Sequence, residues 1–335
     1  LFNTRDALWY IPKSTVGNTG ADYYFAENPQ FGAVFTYHLS KTYPSMKSER
    51  VKKEKEMIKK GQQIPPIDWD ALEKESREET TKILLSIKDM DGKIVNKIRA
   101  QKSKGLNRVA WNLRHSSSSA INPDNLRTGP RGGRGGGGWF NSGHLAAPGN
   151  YTATLLKETN GTTTVLDGPI TFNVVDLERG TLRGMTYSEY KNHSDQIIQI
   201  QNRQSEFSNK LTKSVNKVKA MRLSLSRSKS ENNDLSKKLF DIEEELNLMS
   251  VKVYGNSAKS EVGEKNNPTV SSFLGNAYRG LTTTYGPTGQ HKQSLEIANS
   301  ILNKLDESLN IIIGKLPKLE VELSNMNAPV IIGVN

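Results

Sequence analysis

Cysteine is absent from all 335 residues of the chain. Its absence excludes disulfide scaffolds, thiol nucleophiles and zinc–thiolate sites together. No apolar run approaches the ~20 residues of a membrane-spanning helix, so no transmembrane helix is predicted. Apolar content is also low, with hydrophobic residues at 35% and a mean hydropathy of −0.61. A chain this lean in apolar side chains must place part of its length in long surface helices or open loops.

Basic residues are in excess. Lys and Arg number 46 against 35 Asp and Glu, which gives a formal net charge of +11. The length corresponds to about two domains. The chain begins at Leu1, and residues 1–12 lack the basic head and apolar core of a signal peptide. We therefore expect either that a signal peptide has been removed or that the chain begins within a longer protein, and the resemblance described below favours the second.

Short strands are predicted in the first half of the chain. The predicted strands are 31–39, 83–88, 93–98, 106–113, 151–156, 162–166 and 170–175. Asp91-Gly92 predicts a hairpin, because glycine accepts positive φ without a steric cost. Strands of this length and spacing predict an antiparallel β-sandwich over 81–180, with a glycine-rich loop at 115–147 and an extended segment and first strand at 1–43.

The segment 44–80 interrupts the strand pattern and is predicted as a charged helical insertion. Residues 45–60 are dense in Lys and Glu, with opposite charges at the i,i+4 spacing that supports an exposed helix. Gly61 stands where the C-terminal cap of that helix is expected. Asp68 then opens a second short helix, after two prolines.

Residues 181–335 are predicted to form three amphipathic helices. Apolar side chains recur seven apart from Tyr190 to Leu225, which is the spacing of a helix seam. Leu235 to Met249 mark a second helix, and Leu295 to Ile313 mark a third. Three such helices joined by polar loops pack most simply as an antiparallel bundle. The predicted fold class is therefore α+β and multidomain: a β-sandwich with a helical insertion, followed by an antiparallel three-helix bundle.

No catalytic or metal-binding constellation is recognised. The five histidines stand at positions 38, 115, 144, 193 and 291. No two of them have metal-ligand spacing, and the zincin, nucleophile-elbow and P-loop motifs are absent. His193 falls in a helix seam and is interpreted as a packing residue. His115 and His144 flank the glycine-rich loop and are candidate ligand contacts, should they meet in space. We assign no metal and no cofactor.

Three tryptophans and one tyrosine are assigned roles from their patterns. Trp9 and Trp139 follow no alternation, so they are the candidates for exposed residues that stack against a carbohydrate. Trp111 alternates with the apolar residues of 109–113, which predicts a place in the sandwich core. Tyr151 begins another strand with one apolar face and is predicted to lie in the same core.

Two further patterns imitate functional motifs. The tract 131–139 resembles an Arg-Gly-Gly RNA-binding segment, and the net charge suits nucleic acid. It is one short copy between two predicted strands, so nucleic-acid binding is the weaker interpretation. The neighbours Asp68/Asp70 and Glu78/Glu79 imitate the carboxylate pair of a glycosidase. Such a pair flanks a sugar from two separate elements, so no catalytic role is assigned.

Five stretches carry a family resemblance. They are 27–39 (ENPQFGAVFTYHL), 65–70 (PPIDWD), 83–95 (ILLSIKDMDGKIV), 105–114 (GLNRVAWNLR) and 147–155 (APGNYTATL). In this order they resemble the region after the propeller in large secreted bacterial proteins with sortilin-like, Asp-box β-propellers, often labelled glycosyl-hydrolase-like. The last two also resemble the Ig-like sandwich of flagellar hook-capping proteins and of C-terminal modules in Bacteroidetes surface proteins. The likeness covers 1–180 well and 181–335 more loosely.

The resemblance implies an Ig-like sandwich followed by helices, in a protein that is secreted, on the cell surface or periplasmic. Asp-box repeats do not occur in the sequence. The expectation is therefore a non-catalytic C-terminal accessory module that binds the N-terminal propeller of the same protein and another protein chain. One alternative is a glycoside hydrolase or carbohydrate-binding protein whose site lies in the propeller. The other is RNA binding through the Arg-Gly-Gly loop.

Overall fold

The chain has an α+β fold in the computed structural model. The residues described are 1–12, 26, 29–66, 68–121, 143–177, 184–283 and 285–331. Two compact units divide the chain: Leu1–Ser117 with Gly136–Thr181, and Ser118–Gly135 with Leu182–Asn335. We call the first the β unit and the second the helical unit.

Seven strands and two helices are found among the described residues of the β unit. They are β1 (Ala7–Trp9), β2 (Ala33–Leu39), α1 (Met46–Lys59), α2 (Trp69–Arg77), β3 (Lys82–Asp89), β4 (Ile94–Ala100), β5 (Gly105–Trp111), β6 (Gly149–Thr159) and β7 (Thr162–Asp176). A mixed sheet has the strand order β1-β7-β6-β3-β4, in which β1 runs parallel to β7 and the other pairs are antiparallel. β2 and β5 form a separate antiparallel pair.

Two tight turns set the register of the mixed sheet. Gly92 has φ +76°, and its N–H donates to the Asp89 carbonyl over 3.0 Å, so the predicted Asp-Gly hairpin between β3 and β4 is confirmed. Asn160 and Gly161 connect β6 to β7 with φ values of +48° and +70°. Two consecutive residues with positive φ are typical of a type I′ turn, whose twist matches that of the flanking strands.

The two strands predicted at 162–166 and 170–175 are in fact the single strand β7, so that prediction is wrong. Gly168 has φ +97° at the middle of this strand. The pairing of β6 with β7 shifts register between Ala153 and Leu155, opposite this glycine. An irregularity of this kind bends a strand without ending it, so the ladder continues on both sides.

Aromatic side chains join the two sheets. Phe35 of β2 and Trp111 of β5 both contact Phe172 of β7, with ring centroids 5.0 and 6.0 Å apart. Trp111 also lies edge-on to Tyr151 of β6, at 5.2 Å. Edge-on geometry is one that aromatic pairs prefer, so the core of the β unit lies between the sheets. The buried alternate residues of β3 in this core are Ile83, Leu85 and Ile87.

Five helices are described in the helical unit. They are α3 (Tyr187–Ser226), α4 (Asn233–Tyr254), α5 (Ser257–Glu261), α6 (Val270–Arg279) and α7 (Gly289–Asn325). The three long helices lie where the apolar repeats predict them, whereas α5 and α6 are short helices that the repeats do not indicate. Thr269 and Ser272 form a capping box that starts α6. A search of the described helices finds none with the length and apolarity to cross a membrane.

The apolar repeats form the buried faces of the long helices. Ile197 and Val218 of α3 are buried, as the seven-residue spacing predicts. The buried seam residues of α4 are Leu235, Leu239, Ile242, Leu246 and Met249. Those of α7 within the predicted seam are Leu295, Leu302, Leu305, Leu309 and Ile312. Charged side chains occupy the other faces, which accounts for the low mean hydropathy.

Candidate functional site

Helices α1 and α2 form a pair that we call the arm. Local signals start and stop them: the Ser45 hydroxyl accepts from the Ser48 N–H over 3.2 Å, and Gly61 follows α1 with φ +68°. Asp68 caps α2 by accepting from the Asp70 N–H, also over 3.2 Å. Both helices lie within the segment 44–80, and Gly61 and Asp68 stand at the helix ends where the sequence predicts them. No residue of either helix is buried, which sets the arm apart from every other long element of the β unit.

A bidentate ion pair holds the two helices of the arm together. Arg50 of α1 donates to both carboxylate oxygens of Glu75 of α2, over 2.8 and 3.0 Å, and to Glu54 over 2.7 Å. The hydrogen bond from Arg50 lowers the pKa of Glu75. The Glu78 carboxylate accepts from the Met46 N–H over 2.7 Å. The start of α1 therefore lies beside the end of α2, and the helices run antiparallel.

A second ionic cluster fixes the base of the arm to the β6–β7 hairpin. Lys82 donates to Glu79 and to Glu158, each over 2.8 Å. Glu79 also accepts from the Gly161 N–H over 2.9 Å. The hydrogen bond from Lys82 lowers the pKa of Glu79, and the hydrogen bond to Glu158 raises the pKa of Lys82. The ionic contacts that connect different elements of the arm thus lie at its base and between its helices, while Arg50–Glu54 and Arg77–Glu73 lie within one helix each.

Large apolar side chains are exposed at the other end of the arm. Trp69 begins α2 and is 81% exposed, Ile58 near the end of α1 is 60% exposed, and Ile64 in the connection is 42% exposed. Because the helices are antiparallel, these three residues lie at the closed end of the hairpin, and we call them the arm tip. An exposed tryptophan is a common feature of surfaces that bind other proteins.

The surface of α1 beside the arm tip is basic. This helix carries six Lys or Arg against three Glu, and Arg50 is already paired with two carboxylates. The exposed lysines of α1 are Lys47, Lys52, Lys53, Lys55 and Lys59. The arm therefore combines an apolar end with a positively charged side.

Trp9 is not an exposed stacking residue, so the expectation that it faces solvent is wrong. The side chain is 4% exposed, and its indole N–H donates to the Ala146 carbonyl over 2.9 Å. It lies on β1, which pairs with the distant strand β7. A strand of three residues is too short for alternation to reveal the burial of this ring.

Trp111 and Tyr151 lie in the core of the β unit. Trp111 is 0% exposed, and its indole N–H donates to the Arg114 carbonyl over 2.9 Å. The Tyr151 hydroxyl donates to the Ala147 carbonyl over 2.5 Å. Burial raises the pKa of Tyr151 to about 12, which keeps the hydroxyl protonated. Both side chains serve packing and carry no exposed polar group for a ligand.

His115 and His144 meet, as the sequence left open. Their rings stack with centroids 4.1 Å apart. The backbone N–H of His115 also donates to the backbone carbonyl of His144 over 2.9 Å. Trp139 and the tract 131–139 lie outside the described residues, so the stacking and RNA-binding predictions for them stay predictions. Across the described part of the chain, no group of three or more His, Asp or Glu residues is placed to hold a metal ion.

Three of the four acidic residues that imitate a glycosidase pair have structural contacts. Asp68 caps α2, Glu78 accepts from the start of α1, and Glu79 belongs to the cluster at the base of the arm. The candidate residue that sequence reasoning missed is Trp69, which is 81% exposed. Its signal is a tryptophan between two aspartates at the start of a short polar helix.

His193 of α3 is a buried packing residue whose protonation state matters for stability. Its Nε2 lies 3.1 Å from the Ala277 carbonyl, so the neutral ring donates this hydrogen bond. Burial lowers the pKa of His193, and the nearby His291 and Lys292 add to this, while the bond to Ala277 opposes it. The folded chain binds this proton more weakly than the unfolded chain. The stabilisation that neutral His193 contributes is therefore fully present above about pH 6.5 and is lost as the pH falls below that value.

We expect replacement of His193 by Gln to flatten this pH dependence. Glutamine is neutral throughout and keeps a donor for the Ala277 carbonyl. Urea unfolding of the full chain, followed by helical circular dichroism, measures the free energy of unfolding at pH 7.5 and 5.5. Between pH 7.5 and pH 5.5 the free energy of unfolding should fall further in the wild type than in the variant, by at most about 1.4 kcal/mol per pH unit. Equal losses in both proteins would contradict a titrating role for His193.

Comparison with protein-family models, with curated proteins and with solved structures finds no match to the chain.

Proposed function

We propose that the chain is a non-catalytic accessory and interaction module of a secreted or cell-surface β-propeller protein. The arm tip is its contact with a protein partner whose surface offers an apolar cavity for Trp69 and carboxylates that face the lysines of α1. The observation that carries the proposal is Trp69, 81% exposed on a helix pair with no buried residue. The family resemblance supplies the propeller and the compartment.

An exposed tryptophan favours a protein partner for energetic reasons. A tryptophan buries up to ~250 Å² of surface on binding, and few side chains contribute more to an interface. The Arg50–Glu75 pair and the base cluster hold the helices before any partner arrives, which lowers the ordering cost of binding. Trp69 is thus a large exposed side chain, suited to anchor an interface, on helices that ion pairs already hold in place.

The charge of α1 favours an acidic partner surface. Its exposed lysines lie along α1 from the base of the arm to the tip, and opposite charge on the partner raises the association rate, an effect that salt screens. We interpret the two facing sheets as an Ig-like sandwich that carries the arm, and α3, α4 and α7 as a bundle. In this proposal both serve as scaffold.

A photocrosslinking experiment tests the proposal. Benzoylphenylalanine replaces Trp69 in the native host, and Phe240, which is 49% exposed on α4, serves as the control position. A defined protein crosslinked from position 69 and not from 240 is then purified. We expect Trp69→Ala to weaken its binding to the chain at least about tenfold, and Phe240→Ala to change it less than about twofold. Affinity should fall as salt rises.

Three results would overturn the proposal. If no defined protein is crosslinked from position 69, the arm tip has no protein partner. Unchanged affinity of the Trp69→Ala variant would show that the tip is not the anchor. Hydrolysis of chromogenic glycosides by the purified chain, abolished by Asp70→Asn, would establish an enzyme instead of a scaffold.

A further inference from the structure

The helical unit contains a cavity of about 480 Å³ between the end of α4, the α5–α6 connection and α7. Its size falls within the range of small-molecule sites, ~300–1,000 Å³. Val251, Pro268, Ile301 and Leu305 give it apolar walls. The polar residues that line it are Asn256, Asn266, Asn267, Thr269 and Ser308, and the charged ones are Lys252, Lys259 and Lys304.

One wall of this cavity is a fixed polar network. The Asn266 side chain accepts from the Asn256 N–H over 2.8 Å and donates to the Asn256 carbonyl over 3.2 Å and to the Ser260 hydroxyl over 2.9 Å. The Asn256 side chain in turn caps α5 by accepting from the Ala258 N–H over 2.9 Å. Gly255 has φ +92°, and a Cβ there would lie 3.1 Å from Asn266. The wall is therefore formed before any ligand binds.

The charge of the cavity has one sign. All three of its ionisable lining residues are lysines, and no carboxylate lines it. Among the described ion pairs, none involves Lys252, Lys259 or Lys304, whereas Asp306 on the same helix as Lys304 is paired with Arg203 over 2.9 Å. Three exposed lysines in the lining of a cavity with apolar walls favour a ligand with a concentrated negative charge and an apolar body.

We propose that this cavity binds a phosphate monoester that carries a small apolar or aromatic group. The lysines face the phosphate, and the walls formed by Ile301 and Pro268 contact the apolar group. A dianion suits three ammonium groups better than a carboxylate does, because each added charge increases the attraction. This site is separate from the arm, and its failure would leave the proposal for the arm unaffected.

Calorimetric titration of the full chain with phenyl phosphate tests the proposal. We expect saturable binding, roughly tenfold tighter than that of inorganic phosphate or benzoate. The triple variant Lys252→Gln, Lys259→Gln, Lys304→Gln should lose at least about tenfold in affinity. A matched triple variant, Lys237→Gln, Lys315→Gln, Lys318→Gln, removes the same charge from exposed positions of α4 and α7 outside the cavity. It should lose less than about twofold.

The apolar walls have their own test. Ile301→Asn should lower the affinity for phenyl phosphate and leave the affinity for inorganic phosphate unchanged. Circular dichroism verifies that the helices are retained in this variant. Equal losses in the two triple variants would show that net charge alone attracts the anion. Benzoate or inorganic phosphate binding as tightly as phenyl phosphate would overturn the assigned ligand class, and no saturable binding would overturn the site.

Discussion

Replacement of Trp111 by alanine is expected to destabilise the β unit by about 3–5 kcal/mol. The side chain is fully buried, and it lies edge-on to Tyr151 and to Phe172 across the two sheets. Its indole N–H donates to the Arg114 carbonyl. Truncation therefore leaves a cavity and also removes this donor from the carbonyl. Against a typical domain stability of about 5–15 kcal/mol, the variant would be marginal or unfolded.

The matched control for this prediction is Trp69→Ala. It removes the same side chain from a position that is 81% exposed, and we expect a change within about 0.5 kcal/mol. Native-state hydrogen exchange of the β3 and β6 amides in the full chain measures both variants, independently of tryptophan fluorescence. A loss below about 1 kcal/mol for Trp111→Ala would contradict its place in the core and the register of β5.

The sequence predicts burial well where a pattern repeats. Trp111 is placed correctly because it shares with Val109 the face of β5 that is turned toward the core. The seam of α3 is likewise visible because a seven-residue repeat continues through a helix of 40 residues. In both cases the periodicity of the element itself determines which side chains face the core, so no knowledge of the partner element is needed.

Burial that depends on a distant partner is not visible in the sequence. Trp9 lies on a strand of three residues, and both that strand's partner β7 and the Ala146 carbonyl that accepts from its indole N–H are more than 130 residues away. The helix that carries Trp69 is predicted, but its exposure is not, because exposure depends on whether another element covers that face. The helices of the arm can therefore be predicted from the sequence, whereas the exposure of Trp69 is known only from the structure.

Gly32→Ala is expected to destabilise the β unit by about 3 kcal/mol or more. Gly32 precedes β2 and has φ +99°, which a residue with a Cβ adopts only with strain. A Cβ there would lie 1.9 Å from the Trp111 carbonyl oxygen and 3.1 Å from the Asn112 Cα. Both are backbone atoms at the end of β5, so the clash is relieved only when the β2–β5 pair moves.

Gly105 provides a control that separates strain from clash. It lies at the opposite end of the same ladder, paired with Leu39, and has nearly the same φ, +100°. Nothing lies within 4 Å of its Cβ position, so Gly105→Ala should cost only the backbone strain, about 1–2 kcal/mol. Hydrogen exchange of the β2 and β5 amides compares the two variants. Equal losses would mean that the end of β5 yields freely to a methyl group. A larger loss for Gly32→Ala would show that the Trp111 backbone does not move aside for a methyl group at position 32.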